Sequence, residues 1–232
     1  MIQREKNGDI ASFLLRTTLT VLAAGILVVQ ANGYSIDFEH LRVAQAGLIR
    51  MNVSPASARS FVDGRQIRLT RGEFASTYTP DVYDVEVQLN GYQSWHHLAR
   101  VEPGNVVRFD HIILFPERID PIGTSPTTTI GREAPLIDPR LRIINTELWY
   151  VANGKQQLVT RLSGQILAAT LLGTSHVVYQ TSDGIHAIDI DGVNDAILVA
   201  QVDPTPSPLI LSSNDRVLAV VGPELTTQYQ IQ

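Results

Sequence analysis

The spacing of apolar residues changes character along the chain. From Phe13 to Ala31 they run almost unbroken, with Arg16 the main interruption. From Gly47 the rhythm becomes two-residue. Ile49, Met51 and Val53 alternate with polar neighbours, and Tyr83, Val85, Val87 and Leu89 alternate with Asp84, Glu86 and Gln88. An unbroken run of that length predicts a helix, and a period of two predicts strands with one dry face.

Polar residues including Arg4 and Lys6 precede the first run. A helix over residues 13–31 would span about 28 Å, close to the roughly 30 Å of a bilayer's hydrocarbon. Arg16, one turn inside, can extend its charge to the headgroups. Three readings compete. Basic residues ahead of the run orient a single-pass anchor with its N-terminus in the cytoplasm. Val29-Gln30-Ala31 resembles a cleavage site, which fits a signal peptide. A buried core helix is the third, although the run is apolar all round rather than on one face. Under either of the first two, the remaining chain is exported.

Turn chemistry punctuates the chain beyond Gly47. Asp63-Gly64 and Asn90-Gly91 are hairpin dipeptides, since their positions call for positive φ. The first separates Phe61-Val62 from Ile67 and Leu69. The second ends the strand that begins at Tyr83 and starts a return at Tyr92 and Trp95. With Val106 to Phe115 these make several short strands within about 70 residues, the pattern of a small β-sandwich. The prolines at 116, 121, 126, 135 and 139 then predict a linker without regular ladders. Beyond it, three segments starting at Glu147, His176 and Arg216 look alike, each a strand, a Gly-containing turn and a second strand. Their spacing of about 30 to 40 residues suits propeller-like repeats, too few to close a ring.

Composition narrows the function classes. The formal charge is −5 and only 18% of residues are charged, with no basic stripe. Nucleic acid is therefore not an expected partner. No cysteine is present, which removes disulfides, thiolate metal sites and cysteine nucleophiles.

The ordered motifs "VSPASARSFVDG", Tyr-x-Val-x-Val, "NGYQSW" and "IILFP" resemble the PEGA domain family over about residues 47–116. Thr70-Arg71 and Pro80-Asp81 depart from the family's Thr-Pro and Pro-Gly, both in turns. The resemblance implies an extracytoplasmic β-sandwich serving surface or protein interactions, and it implies no catalytic residues. "IDIDGVNDAILV" is similar to repeats of periplasmic, Tol-associated β-propellers.

Three groups of residues are candidates for chemistry. Asp189, Asp191, Asn194 and Asp195 present oxygens at near-alternate positions, as a hard cation requires, but without the 12-residue EF-hand frame. The competing reading is a hydrogen-bonded hairpin turn. His96-His97 point to opposite faces of a strand and cannot readily clamp one metal. Tyr92, Trp95, Trp149 and Tyr150, with Tyr83, could stack on sugar faces or simply fill cores and cover sheet edges. Nucleophile elbows, phosphate loops and zinc-binding helices are not found among the motifs.

The expected protein is mainly β, with a transmembrane helix, a PEGA-like β-sandwich and partial β-propeller-like repeats. Its divisions are a cytoplasmic N-terminus (1–12), the helix (13–31), a connector (32–46), the sandwich (47–116), a linker (117–140) and the repeats (141–232). The expected function is non-catalytic binding or scaffolding at the cell envelope, without cofactor or metal. The chain would be membrane-held through residues 13–31, with an envelope protein or cell-wall glycan as partner. The alternative is a carbohydrate-active or other hydrolase with its site in the C-terminal repeats.

Overall fold

The structure is a computed structural model, describing residues 15–28, 34–37, 42–128, 133–200, 205–212 and 214–232. The protein is mainly β, with several antiparallel sheets and one short N-terminal helix over residues 15–28. Leu15, Leu19, Leu22 and Leu27 of that helix are exposed. No helix among the described residues is long and apolar enough to cross a membrane. The remainder of the expected 13–31 span lies outside the described residues, as do residues 1–12.

Two compact units divide the chain. The first comprises Met1–Arg50, Ala75–Tyr83 and Ala99–Arg108, the second Met51–Phe74, Asp84–Leu98 and Phe109–Gln232. In the first, β1 (Tyr34–Asp37) and β2 (Arg42–Gln45) form an antiparallel hairpin pairing Tyr34 with Gln45. Tyr83 sits half-buried at a turn in this unit, its hydroxyl 2.9 Å from the Thr79 carbonyl and its ring 4.9 Å from Tyr78. It is not a core-filling ring, because the short 79–83 turn holds the hydroxyl at the surface.

Seven strands come next: β3 (Gly47–Ser54), β4 (Arg59–Val62), β5 (Arg65–Ile67), β6 (Glu73–Tyr78), β7 (Asp81–Gln88), β8 (Trp95–Val101) and β9 (Val106–Ile113). They form sheets ordered β6-β3-β9 and β5-β4-β7-β8. The alternation read from the sequence is present. Ile49, Met51, Val53, Val85 and Val87 are buried, with more accessible residues between them. Asp63 (φ 48°) and Gly64 (φ 71°) make the two-residue turn that pairs Val62 with Arg65. The return after β7 differs from expectation. It begins at Trp95 rather than Tyr92, because Tyr92 instead bridges to Pro116 and its N–H bonds the Leu89 carbonyl, widening the loop.

The remaining strands all lie in the second unit. They are β10 (Pro121–Pro126), β11 (Leu141–Ile144), β12 (Glu147–Ala152), β13 (Lys155–Arg161), β14 (Ala168–Leu172), β15 (His176–Gln180), β16 (Gly184–Asp189), β17 (Ala196–Ala200), β18 (Leu209–Leu211), β19 (Val217–Val221) and β20 (Leu225–Gln230). Three meander sheets result: β11-β12-β13, β14-β15-β16-β17, and β18-β19-β20 with β10 added at its edge. The three look-alike segments correspond to the hairpins β12–β13, β15–β16 and β19–β20.

β10 corrects the expectation that prolines keep residues 117–140 out of ladders. Pro121 and Pro126 stand at the two ends of the strand, and β10 is an edge strand beside β20. A proline's missing N–H removes no ladder bond when it faces outward or lies at a strand's end.

Two apolar clusters hold these sheets. One gathers Phe115, Leu172, Val178, Ile185, Leu218 and Ile231 with their neighbours, and the other Leu141, Leu148, Val159, Val177, Tyr179 and Ile188. β15 and β16 are buried along both faces, so they read as unbroken apolar runs rather than alternating ones.

Candidate functional site

Strand β16 ends at Asp189, and residues 190–195 turn the chain into β17. Asp189 accepts the Gly192 N–H through its carbonyl at 2.8 Å, and its own N–H reaches the Val193 carbonyl at 3.0 Å. These bonds and the positive φ of Gly192 and Asn194 (89° and 54°) close the turn. Its side chains then fan outward to different partners.

Asp189 is the hub. Its Oδ2 accepts the indole N–H of Trp95 at 2.7 Å and the amide of Asn194 at 2.8 Å. Its Oδ1 lies 2.9 Å from Nε2 of His176, off the ring's N–H direction, so this is a close contact rather than a directed hydrogen bond. His176 is 2% exposed and Trp95 5% exposed. A carboxylate this enclosed is tolerable only because several donors face it.

Asn194 performs a second task. Its Oδ1 accepts the backbone N–H of His96 at 2.9 Å and its Nδ2 donates to the His96 carbonyl at 3.0 Å. β8 is an edge strand, and an edge leaves backbone groups without ladder partners. One asparagine side chain therefore stands in for a neighbouring residue of a strand. Gln93 adds a bond to the Ile197 carbonyl at 3.0 Å.

The other two carboxylates diverge. Asp191 Oδ2 bonds His97 Nε2 at 2.8 Å, while the His97 ring stacks near Trp95 and Phe109. The hydrogen bond to Asp191 raises the His97 pKa above its ordinary 6.5 and lowers that of Asp191. Asp195 accepts the Tyr179 hydroxyl through both oxygens at 2.9 Å. It also lies 3.5 Å from His186 Nδ1, and Asp183 lies 3.6 Å from Nε2. Asp195 leads in raising the His186 pKa, and burial leads in raising that of Tyr179.

The expected cation-type residues thus do not converge. Asp189 and Asn194 bond each other while Asp191 and Asp195 turn to separate protein partners, and the cavity beside them, about 50 Å³, has room only for water-sized molecules. Among the described residues no three His, Asp or Glu are set to hold a metal ion. The hydrogen-bonded turn is the arrangement found.

The aromatic candidates separate likewise. Trp95 is enclosed, with Phe109 edge-on at 5.2 Å, and offers no open face. Tyr92 is half-buried beside its bridge to Pro116. Trp149 and Tyr150 lie together on β12, both half-exposed, and the Trp149 indole donates to Glu147 at 2.9 Å. Arg161 bonds the same carboxylate and leads in lowering its pKa. Of the four, Trp95 is enclosed and the other three are partly accessible, Tyr150 packing against the second apolar cluster.

Two larger cavities lie elsewhere in the second unit. One, about 550 Å³, is bounded by Pro135, Pro139, Leu209 and Leu211 beside Asp138. Burial pushes the Asp138 pKa up, but the Arg140 guanidinium, bonded to both carboxylate oxygens at 3.0 and 3.1 Å, outweighs it and holds the group low. The other, about 360 Å³, is lined by Asn52, His111, Ile112, Leu172, Ser175 and Asn214 among others. At its wall Ser175 Oγ lies 2.9 Å from His176 Nδ1 and 3.2 Å from the His111 carbonyl. Sequence reasoning passed over Ser175 and His176. Their adjacency in "GTSHVV" was visible, but the approach of Asp189 depends on the β15–β16 register, which pairs His176 with Asp189.

Comparison with known proteins adds little. No family model and no curated protein matches the chain. Among solved structures it is similar to a quinoprotein alcohol dehydrogenase-like protein from Bacteroides thetaiotaomicron, at 11% identity and a TM-score of 0.23. That match covers 74% of this chain and 51% of the other, so it spans about half the length of that protein.

Proposed function

We propose that this is a membrane-anchored, extracytoplasmic scaffolding or binding protein of the cell envelope. It would display a PEGA-like sandwich joined to partial propeller-like sheets. The observation that carries the reading is the hub at Asp189. The turn's carboxylates and its asparagine engage Trp95, His96, His97, His176 and Tyr179 of the same chain. A turn whose polar groups are satisfied internally works as a fastener between strands. Such a fastener holds sheet edges and surface rings in fixed positions, which suits display to a partner. Trp149, partly exposed on β12, is the ring through which an envelope protein or a wall glycan would be met, while Tyr150, next along the strand, faces the other side and packs against the apolar cluster of Leu141 and Leu148.

The anchor would be the apolar run of residues 13–31. The described helix over residues 15–28 covers about 21 Å of it at 1.5 Å per residue. Fractionation of cells carrying the full chain, or a chain lacking residues 1–31, tests this part. Loss of membrane association on deletion is expected, and unchanged membrane association would overturn the anchor. Pull-down with insoluble wall polymer tests the surface. Binding by the full chain that Trp149→Ala abolishes without unfolding supports the glycan partner, and binding that survives Trp149→Ala removes that ring from the role.

A further inference from the structure

We propose that Ser175 is an acyl-transfer nucleophile, with His176 its base, opening on the 360 Å³ cleft and acting on small carboxylic esters. This adds an activity to the display role and does not depend on it.

Three groups stand in series. Ser175 Oγ is 2.9 Å from His176 Nδ1, and the opposite ring nitrogen is 2.9 Å from the Asp189 carboxylate. With its proton on Nε2, beside the Asp189 carboxylate though not aligned for a directed hydrogen bond, the ring leaves Nδ1 to accept the serine proton. The arrangement is defined by these roles and distances, not by the order of residues along the chain. Ser175 is partly exposed on the wall of the cleft while His176 is enclosed, its ring edge-on to Phe115 at 5.8 Å. The nucleophile therefore meets solvent, and its base is held in place by packing.

The surroundings match the task. The Ser175 hydroxyl also reaches a second acceptor, the carbonyl of His111 (φ 74° within β9) at 3.2 Å, so its one proton must turn from that carbonyl to His176 Nδ1 before attack. A non-glycine residue in that region marks a backbone held by its neighbours against local preference. Asn214 lines the same cleft, with its side-chain oxygen occupied by Ser212 Oγ at 2.7 Å and the Arg216 N–H at 3.3 Å. Ile113, partly exposed, supplies an apolar wall of the same cleft for a short acyl chain.

The step balances without any other reactant. As the Ser175 oxygen bonds to the ester carbon, its proton passes to His176 Nδ1 and Asp189 balances the imidazolium charge. The tetrahedral adduct collapses, the carbon–alkoxide bond breaks, and Nδ1 returns the proton to the departing alcohol. Water then repeats the sequence on the acyl-serine, releasing the carboxylic acid.

The chain has no cysteine, so Ser175→Cys introduces a single thiol. In the full chain, iodoacetamide should alkylate it at a rate nearly flat from about pH 6 to 9, and at about pH 7 roughly tenfold faster than a thiol at the neighbouring position in Thr174→Cys. A fluorophosphonate probe should modify the native chain at Ser175, mapped by mass spectrometry, and Ser175→Ala should abolish this with an unchanged circular-dichroism spectrum. Failure of the probe to modify Ser175 overturns the proposal. So does a Ser175→Cys profile that tracks the Thr174→Cys control, rising through an ordinary thiol pKa near about 8.5.

Discussion

Two turns in the second unit contain the same kind of residues and do different work. Asn153-Gly154, between β12 and β13, makes a two-residue hairpin pairing Ala152 with Lys155, and a Cβ on Gly154 would meet nothing within 4 Å. Residues 190–195, between β16 and β17, carry Gly192, where a Cβ would meet the Val159 carbonyl oxygen at 2.4 Å. The first turn only reverses the chain. The second reverses it and also joins β8, β15 and β16 through Asp189 and Asn194. Turn composition therefore shows where a chain bends, while the strands that later arrive beside the bend decide what its polar groups hold.

The comparison is broken most directly at Asp189. Asp189→Ala leaves the Trp95 indole and the Asn194 amide without their acceptor and removes the carboxylate beside the His176 ring. A loss of about 4 kcal/mol is expected in urea unfolding. A loss under about 1 kcal/mol would mean that the hub does not fasten these strands.

Next come the two glycines. Gly192→Ala should cost about 3 kcal/mol, combining the left-handed φ of 89° with the collision at Val159. Gly154→Ala carries only the conformational part, about 1 kcal/mol. Equal costs in parallel unfolding curves would erase the distinction between the turns. Trp95→Phe is smaller than Gly192→Ala. It keeps most of the buried ring and removes one donor to a carboxylate, for about 1.5 kcal/mol. The fluorescence remaining in that variant would report Trp149 alone.

The smallest effect depends on pH. The His97 pKa is raised, so its pairing with Asp191 stabilises the fold fully below about pH 6.5 and fades as pH rises through the folded-state value. The Asp191 pKa is lowered, so the same pairing fades again as pH falls below 3.8 through its own folded-state value. With both side chains partly exposed to solvent, His97→Gln should cost under about 1 kcal/mol at about pH 5.5 and nothing measurable at about pH 9. A cost that grows towards the alkaline end would contradict the pairing.

Legibility in the sequence followed burial geometry. Half-buried strands such as β3 and β7 announced themselves through Ile49, Met51, Val85 and Val87, because one wet face imposes a polar residue at every second position. The Asp63-Gly64 reversal was readable from its dipeptide alone. β10 was not, since its apolar content is low and its place is set by β20, far along the chain. Nor was the destination of Asp189. The acidic run at 189–195 suggested either a cation or a turn. Only the arrival of Trp95 and His96 from β8 and of His176 from β15 resolves it. Non-local polar pairing leaves no periodicity to read.

The pairing of β10 with β20 also has a kinetic side. Pro121 lies opposite Tyr229 and Pro126 opposite Leu225, with Thr127 bonding the Glu224 carbonyl just beyond. About a hundred residues separate the partners. On a ribosome, β10 leaves the exit tunnel several seconds before β20, at a synthesis rate of about 5–20 residues per second. Throughout that interval its backbone N–H and C=O groups have no ladder to join, and closing so long a loop is among the slower steps a chain can take. The β18-β19-β20 sheet can form locally, but its outer strand must be recruited from much earlier in the chain, which makes this edge the natural place for a chaperone to act.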